Sequence, residues 1–95
     1  MAVLSETDRN EKLNKLNGWQ YRNNQIEKEF SLKDFKSALS FVNKLGEEAE
    51  KMDHHPDINI HSYNKVRITL STHSEGGVTG KDFNLAEKIE NIKKL

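Results

Sequence analysis

The stretch that decides the fold is KVRITL, residues 65–70, in which polar and apolar side chains alternate at every position. Successive side chains of a β-strand point to opposite faces of the sheet, so this alternation predicts a strand with one buried face. Such a strand needs neighbouring strands and a covering layer of apolar side chains. The rest of the chain must therefore supply both.

Three more strands are predicted before KVRITL. Ile58 and Ile60 share a parity and indicate a strand directly upstream of it. Residues 19–22 and 25–31 indicate two others. The pair Asn23-Asn24 between them favours a hairpin turn, because asparagine tolerates positive φ.

The longest helix is predicted over residues 33–51, where apolar side chains recur at three- and four-residue steps. Ser31 is expected to cap this helix, with Asp34 as its return partner. Phe41 falls off the apolar stripe, so it is expected to be exposed, either as a subunit contact or as a single stray apolar residue. The predicted inward stripe is Phe35, Ala38, Leu39, Val42, Leu45, Ala49 and Met52.

Shorter helices are predicted near both ends of the chain. Ser5 and Asp8 form a capping-box pattern, and a helix follows to about residue 16. Gly76-Gly77 interrupts the chain after KVRITL, and Thr79 with Asp82 forms a second capping-box pattern. The inward face of the last helix is predicted to be Phe83, Leu85, Ala86, Ile89, Ile92 and Leu95.

The order α-β-β-α-β-β-α predicts one α+β domain over residues 1–95, a four-stranded antiparallel sheet with three helices on one face. The apolar fraction is 34%, against about 45–50% (glycine included) for average domains. The lone core should therefore be thin, which favours burial between subunits. Lysine plus arginine equals aspartate plus glutamate, at 15 each, so nothing indicates direct binding to nucleic acid.

Cysteine is absent, which excludes disulfides and thiolate metal sites. Neither a signal peptide nor a membrane-spanning stretch is recognisable in the sequence. We therefore expect a cytoplasmic protein that does not associate with a membrane.

All four histidines lie within one 20-residue window, at His54, His55, His61 and His73. Imidazole is the side chain that titrates near neutral pH without help from its surroundings. Several glutamates occupy the last turns of the predicted long helix, where the helix dipole disfavours anions. Carboxylates near imidazole stabilise its protonated form and fix its tautomer, which suits acid–base chemistry.

Two other interpretations of the histidines stay open on spacing alone. They can be exposed residues that decorate a helix end and a strand end. They can also form an open metal site, in which two or three of His54, His55 and His73 join Asp53 or Asp57. The adjacent pair His54-His55, however, lacks the one-turn spacing that aims two helix ligands at one ion.

The pattern as a whole resembles the pterin-4a-carbinolamine dehydratases, over almost the whole chain. The segments that carry the resemblance are DHHPD at 53–57, YNKV at 63–66, TLSTH at 69–73, Gly77 and Asp82. The resemblance implies dehydration of 4a-hydroxytetrahydrobiopterin to quinonoid dihydrobiopterin, which recycles the cofactor of aromatic amino acid hydroxylases. It implies homodimers or homotetramers and no metal or cofactor. Some members also serve as dimerisation cofactor for a homeodomain transcription factor, which would add a nuclear location and a protein-partner role.

The resemblance also implies roles for individual residues. His54 and His73 are the acid–base candidates on either side of the pterin ring, and His55 mainly binds and orients the ring. Glu50 is expected to bond and polarise a histidine. The implied substrate-binding residues are Glu50, Asp53, Pro56, Lys81 and Asp82. We expect the three imidazoles to converge on one small hollow, with Lys81 and Asp82 at its edge, although helix capping alone would also explain Asp82.

The chain departs from the family pattern at three points. Six residues separate Pro56 from Tyr63, where members commonly have five. An extra residue reverses side-chain parity unless a bulge or a longer loop absorbs it. Ile58 stands where some members carry tryptophan, and Lys81 stands where many carry arginine. Trp19 is expected in the core or at a subunit contact rather than stacked on the pterin.

Overall fold

The computed structural model describes residues 2–94, so Leu95 of the predicted inward face lies outside the described residues. Its regular elements are α1 (Glu6–Asn14), β1 (Gln20–Arg22), β2 (Gln25–Ser31), α2 (Phe35–Met52), β3 (Asp57–His61), β4 (Lys65–Leu70) and α3 (Gly80–Lys94). A short 3-10 helix, His73–Glu75, lies between β4 and α3. This order confirms the predicted α-β-β-α-β-β-α arrangement.

The sheet has the strand order β1-β2-β4-β3, and every neighbouring pair is antiparallel. The predicted strand KVRITL is β4, which lies inside the sheet between β2 and β3. Each of its apolar side chains has an apolar partner on at least one side, as in Ile26↔Leu70 and Ile58↔Ile68. Val66, Ile68 and Leu70 are all fully buried. The alternation therefore marks the inner face of the sheet, as predicted.

All three helices pack against this inner face. From α1, the Arg9 guanidinium lies 3.7 Å from the centroid of the Tyr21 ring, and Tyr21 shares the face of its partner Ile26. From α2, the rings of Phe41 and Phe30 lie 5.1 Å apart. From α3, the buried side chains are Asp82, Phe83, Leu85, Ala86 and Ile89. The opposite face of the sheet carries no helix within residues 2–94, because each helix contacts the apolar side.

The face of α2 that was predicted to point inward is partly wrong. Phe41 is buried, at 4% exposed, whereas Phe35 and Leu39 are 52% and 41% exposed. The helix has two adjacent apolar stripes, and the one that faces the sheet contains Ala38, Phe41, Leu45 and Ala49. The other stripe points outward. Spacing cannot tell the two apart, because both repeat at three- and four-residue steps.

The predicted cap of α2 is also wrong. Asp34 is the N-cap, and its carboxylate accepts a hydrogen bond from the Ser37 amide at 2.7 Å. The helix therefore begins at Phe35, two residues later than predicted. Ser31 instead ends β2, where its hydroxyl accepts from the Lys65 ammonium at 2.7 Å.

Other local predictions are confirmed. Ser5 caps α1 by accepting from the Asp8 amide at 3.1 Å, although the helix ends at Asn14, short of the predicted residue 16. Asn23 and Asn24 have φ values of 54° and 63°, as the hairpin requires. Trp19 is a core residue. Its indole Nε1 donates to a carboxylate oxygen of Glu90 at 3.0 Å.

The extra residue between Pro56 and Tyr63 leaves β3 in a continuous register with β4, from Asp57↔Thr69 to His61↔Lys65. Ile58 and Ile60 consequently keep the parity of the inner face. The connection that follows, residues 62–64, contains two positive φ values, 49° at Ser62 and 55° at Tyr63. We attribute the accommodation of the added length to this connection.

Candidate active site

The end of α2 determines where His54 lies. Asp53, the C-cap residue, has a left-handed φ of 50°, and the His54 amide donates to the Ala49 carbonyl at 3.1 Å. A left-handed C-terminal residue reverses the chain direction at a helix end. His54 therefore becomes buried, at 8% exposed, immediately after the exposed Asp53.

A buried carboxylate holds the His54 ring. Nε2 of His54 lies 2.6 Å from Oδ1 of Asp82, which is completely buried. The other oxygen, Oδ2, accepts from the Thr72 hydroxyl and from the Thr79 amide, each at 2.9 Å. Asp82 thus caps α3, as predicted, and also binds a histidine 28 positions earlier in the chain. The expected position of Asp82 at the edge of a pterin cleft stays a prediction, and the carboxylate itself is fully buried.

His55 makes a similar contact on the surface. Its Nε2 lies 2.5 Å from Oε1 of Glu50, and the two side chains are 59% and 76% exposed. The hydrogen bond that His55 makes to Glu50 raises the pKa of His55 above its ordinary 6.5, and desolvation opposes this rise. The negative charges of Glu50 and Asp53 raise this pKa further. His55 is therefore the imidazole that retains its proton to a higher pH than usual.

The remaining candidates lie around these two pairs. His73 is exposed, begins the 3-10 helix and directly follows Thr72. Lys81 has an exposed side chain, Asp53 is exposed and Pro56 is half-buried just before β3. The structure therefore brings His54, Asp82 and the start of the His73 segment together in one network.

His61 lies on the other side of the sheet. Its Nε2 is 2.5 Å from Oε1 of Glu29 and its Nδ1 is 3.1 Å from the Ser62 hydroxyl. The contact with His61 lowers the pKa of Glu29 below its ordinary 4.5. The predicted parity of His61, toward solvent or a neighbour, is thus confirmed, and this imidazole is separate from the other three.

A shallow groove runs beside the exposed pair, between α2 and β3. Its lining includes Val42, Gly46, Glu47, Glu50 and Ile58. Glu50 is the predicted site residue in this lining, which includes none of the imidazoles. The single hollow shared by three histidines therefore stays a prediction. Ile58 supplies an aliphatic wall where some family members carry tryptophan.

Sequence reasoning missed Thr72 as part of the site. It is 4% exposed, and its hydroxyl lies 2.7 Å from that of Thr79 as well as contacting Asp82. Its position directly before His73 was the available signal, since residues beside candidate catalytic groups often hold them in place.

Within residues 2–94, no three histidine, cysteine or carboxylate side chains form a cluster suited to a metal ion. The same part of the chain contains no helix that combines the length and the apolar character needed to cross a bilayer.

Comparison with known proteins identifies relatives along nearly the whole chain. The family model for pterin 4 alpha carbinolamine dehydratase matches residues 2–92. A relative from Sulfolobus acidocaldarius, provisionally named as a pterin-4-alpha-carbinolamine dehydratase, is 48% identical over 90 residues, which are 95% of this chain and 98% of that one. A relative from Nostoc sp. with the same provisional name is 47% identical over 95% of this chain and 96% of its own.

Two solved structures are also similar. A transcriptional coactivator/pterin dehydratase from Brucella melitensis has a TM-score of 0.90 and 42% identity, covering 95% of this chain and 97% of its own. A pterin dehydratase-like protein identified as a RuBisCO assembly factor in the alpha-carboxysome has a TM-score of 0.64 and 20% identity, covering 78% of this chain and 84% of its own. The second shares the fold alone.

Proposed function

This chain belongs to the pterin 4 alpha carbinolamine dehydratase family, and on that premise we propose that it removes water from 4a-hydroxytetrahydrobiopterin to give quinonoid dihydrobiopterin. The observation that carries the proposal is the buried His54–Asp82 contact beside a surface imidazole that holds its proton. The buried contact holds one imidazole in place for proton transfer, and the cationic imidazole beside it can bind the polar pterin ring.

The reaction breaks the C4a–O bond and forms a C4a–N5 double bond. The departing hydroxyl takes up a proton and leaves as water, while N5 loses its proton, so that the protons balance. Each positioned acid or base typically contributes about 10²- to 10⁴-fold to such a step. In the proposal, His54 and His73 carry these two transfers.

The surrounding residues bind and orient the pterin. His55, with its raised pKa and its Glu50 partner, presents a cation that can donate hydrogen bonds to the polar edge of the ring. Asp53, Pro56 and Lys81 complete the proposed binding set. Asp82, because it is fully buried, acts on the substrate through His54 rather than by direct contact. The proposal requires neither a metal nor a cofactor.

The test is an ultraviolet assay of carbinolamine breakdown with purified protein. His54→Ala and His73→Ala should each lower the rate at least about tenfold, with circular dichroism and thermal unfolding used to verify the fold. His61→Ala is the matched control, since it removes an imidazole from the opposite face of the sheet and should leave the rate unchanged. Full rates in both site variants would refute the acid–base assignment, and a wild-type protein without activity would refute the function.

A second candidate function is that of a protein-binding module. It is supported by the outward apolar stripe of α2, where Phe35 and Leu39 are exposed, together with Ile58 on β3. The similar Brucella melitensis protein is described as a transcriptional coactivator as well as a dehydratase. Phe41, which the sequence predicted to be exposed as a possible subunit contact, does not belong to this surface because it is buried.

The same stripe is our proposed contact between copies in a homodimer or homotetramer. Phe35→Ser with Leu39→Ser should shift the protein toward the monomer in sedimentation while leaving the fold intact. A chain that is monomeric before substitution would contradict this assignment. Capture of a defined transcription factor that survives His55→Ala and is lost with the double serine variant would favour the binding-module function.

A further inference from the structure

A continuous series of buried or half-buried hydrogen bonds ends at His54. The Lys81 amide donates to the Thr79 hydroxyl oxygen at 3.2 Å, and the Thr79 and Thr72 hydroxyls lie 2.7 Å apart. The Thr72 hydroxyl donates to Oδ2 of Asp82 at 2.9 Å, and Oδ1 of Asp82 lies 2.6 Å from Nε2 of His54. Four residues from two other parts of the chain are thus connected in one series to this ring nitrogen.

Counting protons gives this series a direction. A hydroxyl has one proton to donate, and that of Thr72 goes to Asp82. The hydroxyl of Thr79 must then be the donor to Thr72. Oδ2 of Asp82 receives two donors, the Thr72 hydroxyl and the Thr79 amide, so this carboxylate acts as an acceptor. If Oδ1 accepts as Oδ2 does, Nε2 of His54 carries the hydrogen of their contact, and the hydrogen bonds at the two oxygens of Asp82 then strengthen one another.

A neutral imidazole has one N–H and one free lone pair, and the partner of one nitrogen determines which nitrogen is free. We propose that Thr72 is a positioning residue for the reaction: its hydroxyl, supported by Thr79, orients the buried Asp82 carboxylate, which holds His54 with Nε2 protonated and Nδ1 directed to the substrate. The inference rests on the proposed function and extends it to a residue that does not touch the pterin.

The location of Thr72 fits this role. Its hydroxyl donates to Asp82 and accepts from Thr79, and the residue is only 4% exposed, so burial keeps this hydroxyl away from a substrate. Its own backbone is fixed as well, since its amide donates to the Gly77 carbonyl at 2.9 Å and its carbonyl accepts from the Glu75 amide at 3.0 Å. Thr72 therefore also anchors the segment that carries His73. One residue thereby connects the two proposed acid–base groups.

The test compares Thr72→Val, which keeps the shape and removes the hydroxyl, with Thr72→Ser, which restores it. Thr69→Val is the matched control, because Thr69 is half-buried on the opposite face of β4 and its side chain is not part of the network. The first readout is the tautomer of His54, from a long-range ¹H–¹⁵N spectrum of the full chain above neutral pH. The second is the split between kcat and KM in the carbinolamine assay.

We expect the Nε2–H tautomer in the wild-type protein, in Thr72→Ser and in Thr69→Val, and a mixture of tautomers in Thr72→Val. Loss of a group that orients a metal-binding histidine typically costs about 10- to 100-fold, and we expect a similar range for an orienting group at a catalytic histidine. We therefore expect kcat of Thr72→Val to fall by at least about tenfold, with little change in KM. Thr72→Ser should recover most of the rate.

Three results would overturn the inference. The first is a wild-type His54 that carries its hydrogen on Nδ1, which decides the matter even if Thr72→Val fails to fold. The second is Thr72→Val with an unchanged tautomer and an unchanged kcat. The third is a kcat of Thr72→Ser that falls as far as that of Thr72→Val, since the loss of activity would then come from altered packing rather than from the missing hydroxyl. If the wild-type protein has no dehydratase activity, the proposed function fails while the tautomer measurement still decides the role of Thr72.

Discussion

Two neighbouring histidines make the same contact in opposite surroundings. His54 and His55 each place Nε2 against a carboxylate oxygen, at 2.6 Å from Asp82 and 2.5 Å from Glu50. The side chains of the first pair are 9% and 0% exposed, and those of the second are 59% and 76% exposed. Nearly equal distances thus conceal very different electrostatic environments.

Burial, more than geometry, determines what each histidine–carboxylate pair can do. Charges interact far more strongly where water is excluded, and an unpaired charge there is costly. The buried pair is therefore suited to hold one ring in one orientation and one tautomer. The exposed pair interacts in water, where ion pairs contribute little to stability, and it is suited to adjust the pKa of a residue that meets the substrate.

Asp82→Asn should cause the largest effect that tests this contrast, a loss of folding stability. The amide keeps the volume but replaces one acceptor with a donor, so either the Thr72 hydroxyl and Thr79 amide or the His54 ring loses a partner. Removing one member of a buried charged network costs roughly 3 kcal/mol or more. Urea unfolding should detect this loss as a lower midpoint with an unchanged slope.

Asp53→Asn is the matched control for Asp82→Asn. It makes the same chemical change at an exposed residue with a positive φ of 50°, a conformation that asparagine tolerates well. Its unfolding midpoint should stay the same or rise slightly. Equal losses in the two variants would contradict the distinction between the buried and exposed pairs.

A smaller effect, on pKa rather than on stability, is expected from Glu50→Gln. The hydrogen bond and charge of Glu50 raise the pKa of His55 above 6.5, so removing the charge should bring that pKa back toward 6.5. Because the folded-state pKa is the higher one, the contribution of His55 to stability is present below pH 6.5. It is lost as the pH rises through the folded-state value.

NMR titration of the His55 ring protons measures this pKa directly. Glu47→Gln is the matched control, because Glu47 lies on the same exposed stretch of α2 and is not among the causes of the shift. A His55 pKa that is indifferent to Glu50→Gln would show that the contact does not persist in solution.

Much of the fold follows from local patterns. The alternation in KVRITL identifies the central strand because each inward side chain must be apolar, and the Asn23-Asn24 turn follows from backbone preference alone. The face of α2 could not be assigned in the same way. Its two apolar stripes are equivalent until the sheet is present, and the sheet selects the stripe that contains Phe41.

The candidate site likewise contains local contacts, which the sequence predicts, and a long-range contact, which local patterns do not predict. The capping pattern of Thr79 with Asp82 is local, and so is the closeness of Glu50 to His55 across one helix end. The contact between His54 and Asp82 spans 28 positions and depends on how α2 and α3 pack. No short-range pattern encodes that packing, and the burial that removes Asp82 from the surface results from it.

The smallest expected effect is that of salt on the two pairs. The Debye length falls from about 8 Å at 0.15 M ionic strength to about 3 Å at 1 M, so exposed charges are screened while buried ones are screened much less. The charges of Glu50 and Asp53 should therefore contribute less to the His55 pKa in 1 M salt, whereas the direct hydrogen bond to Glu50 persists. We expect NMR titration to show a partial fall of this pKa, smaller than the fall caused by Glu50→Gln. The His54 tautomer should not respond to salt at all, because its partner is completely buried. A change of this tautomer in 1 M salt would mean that water reaches Asp82.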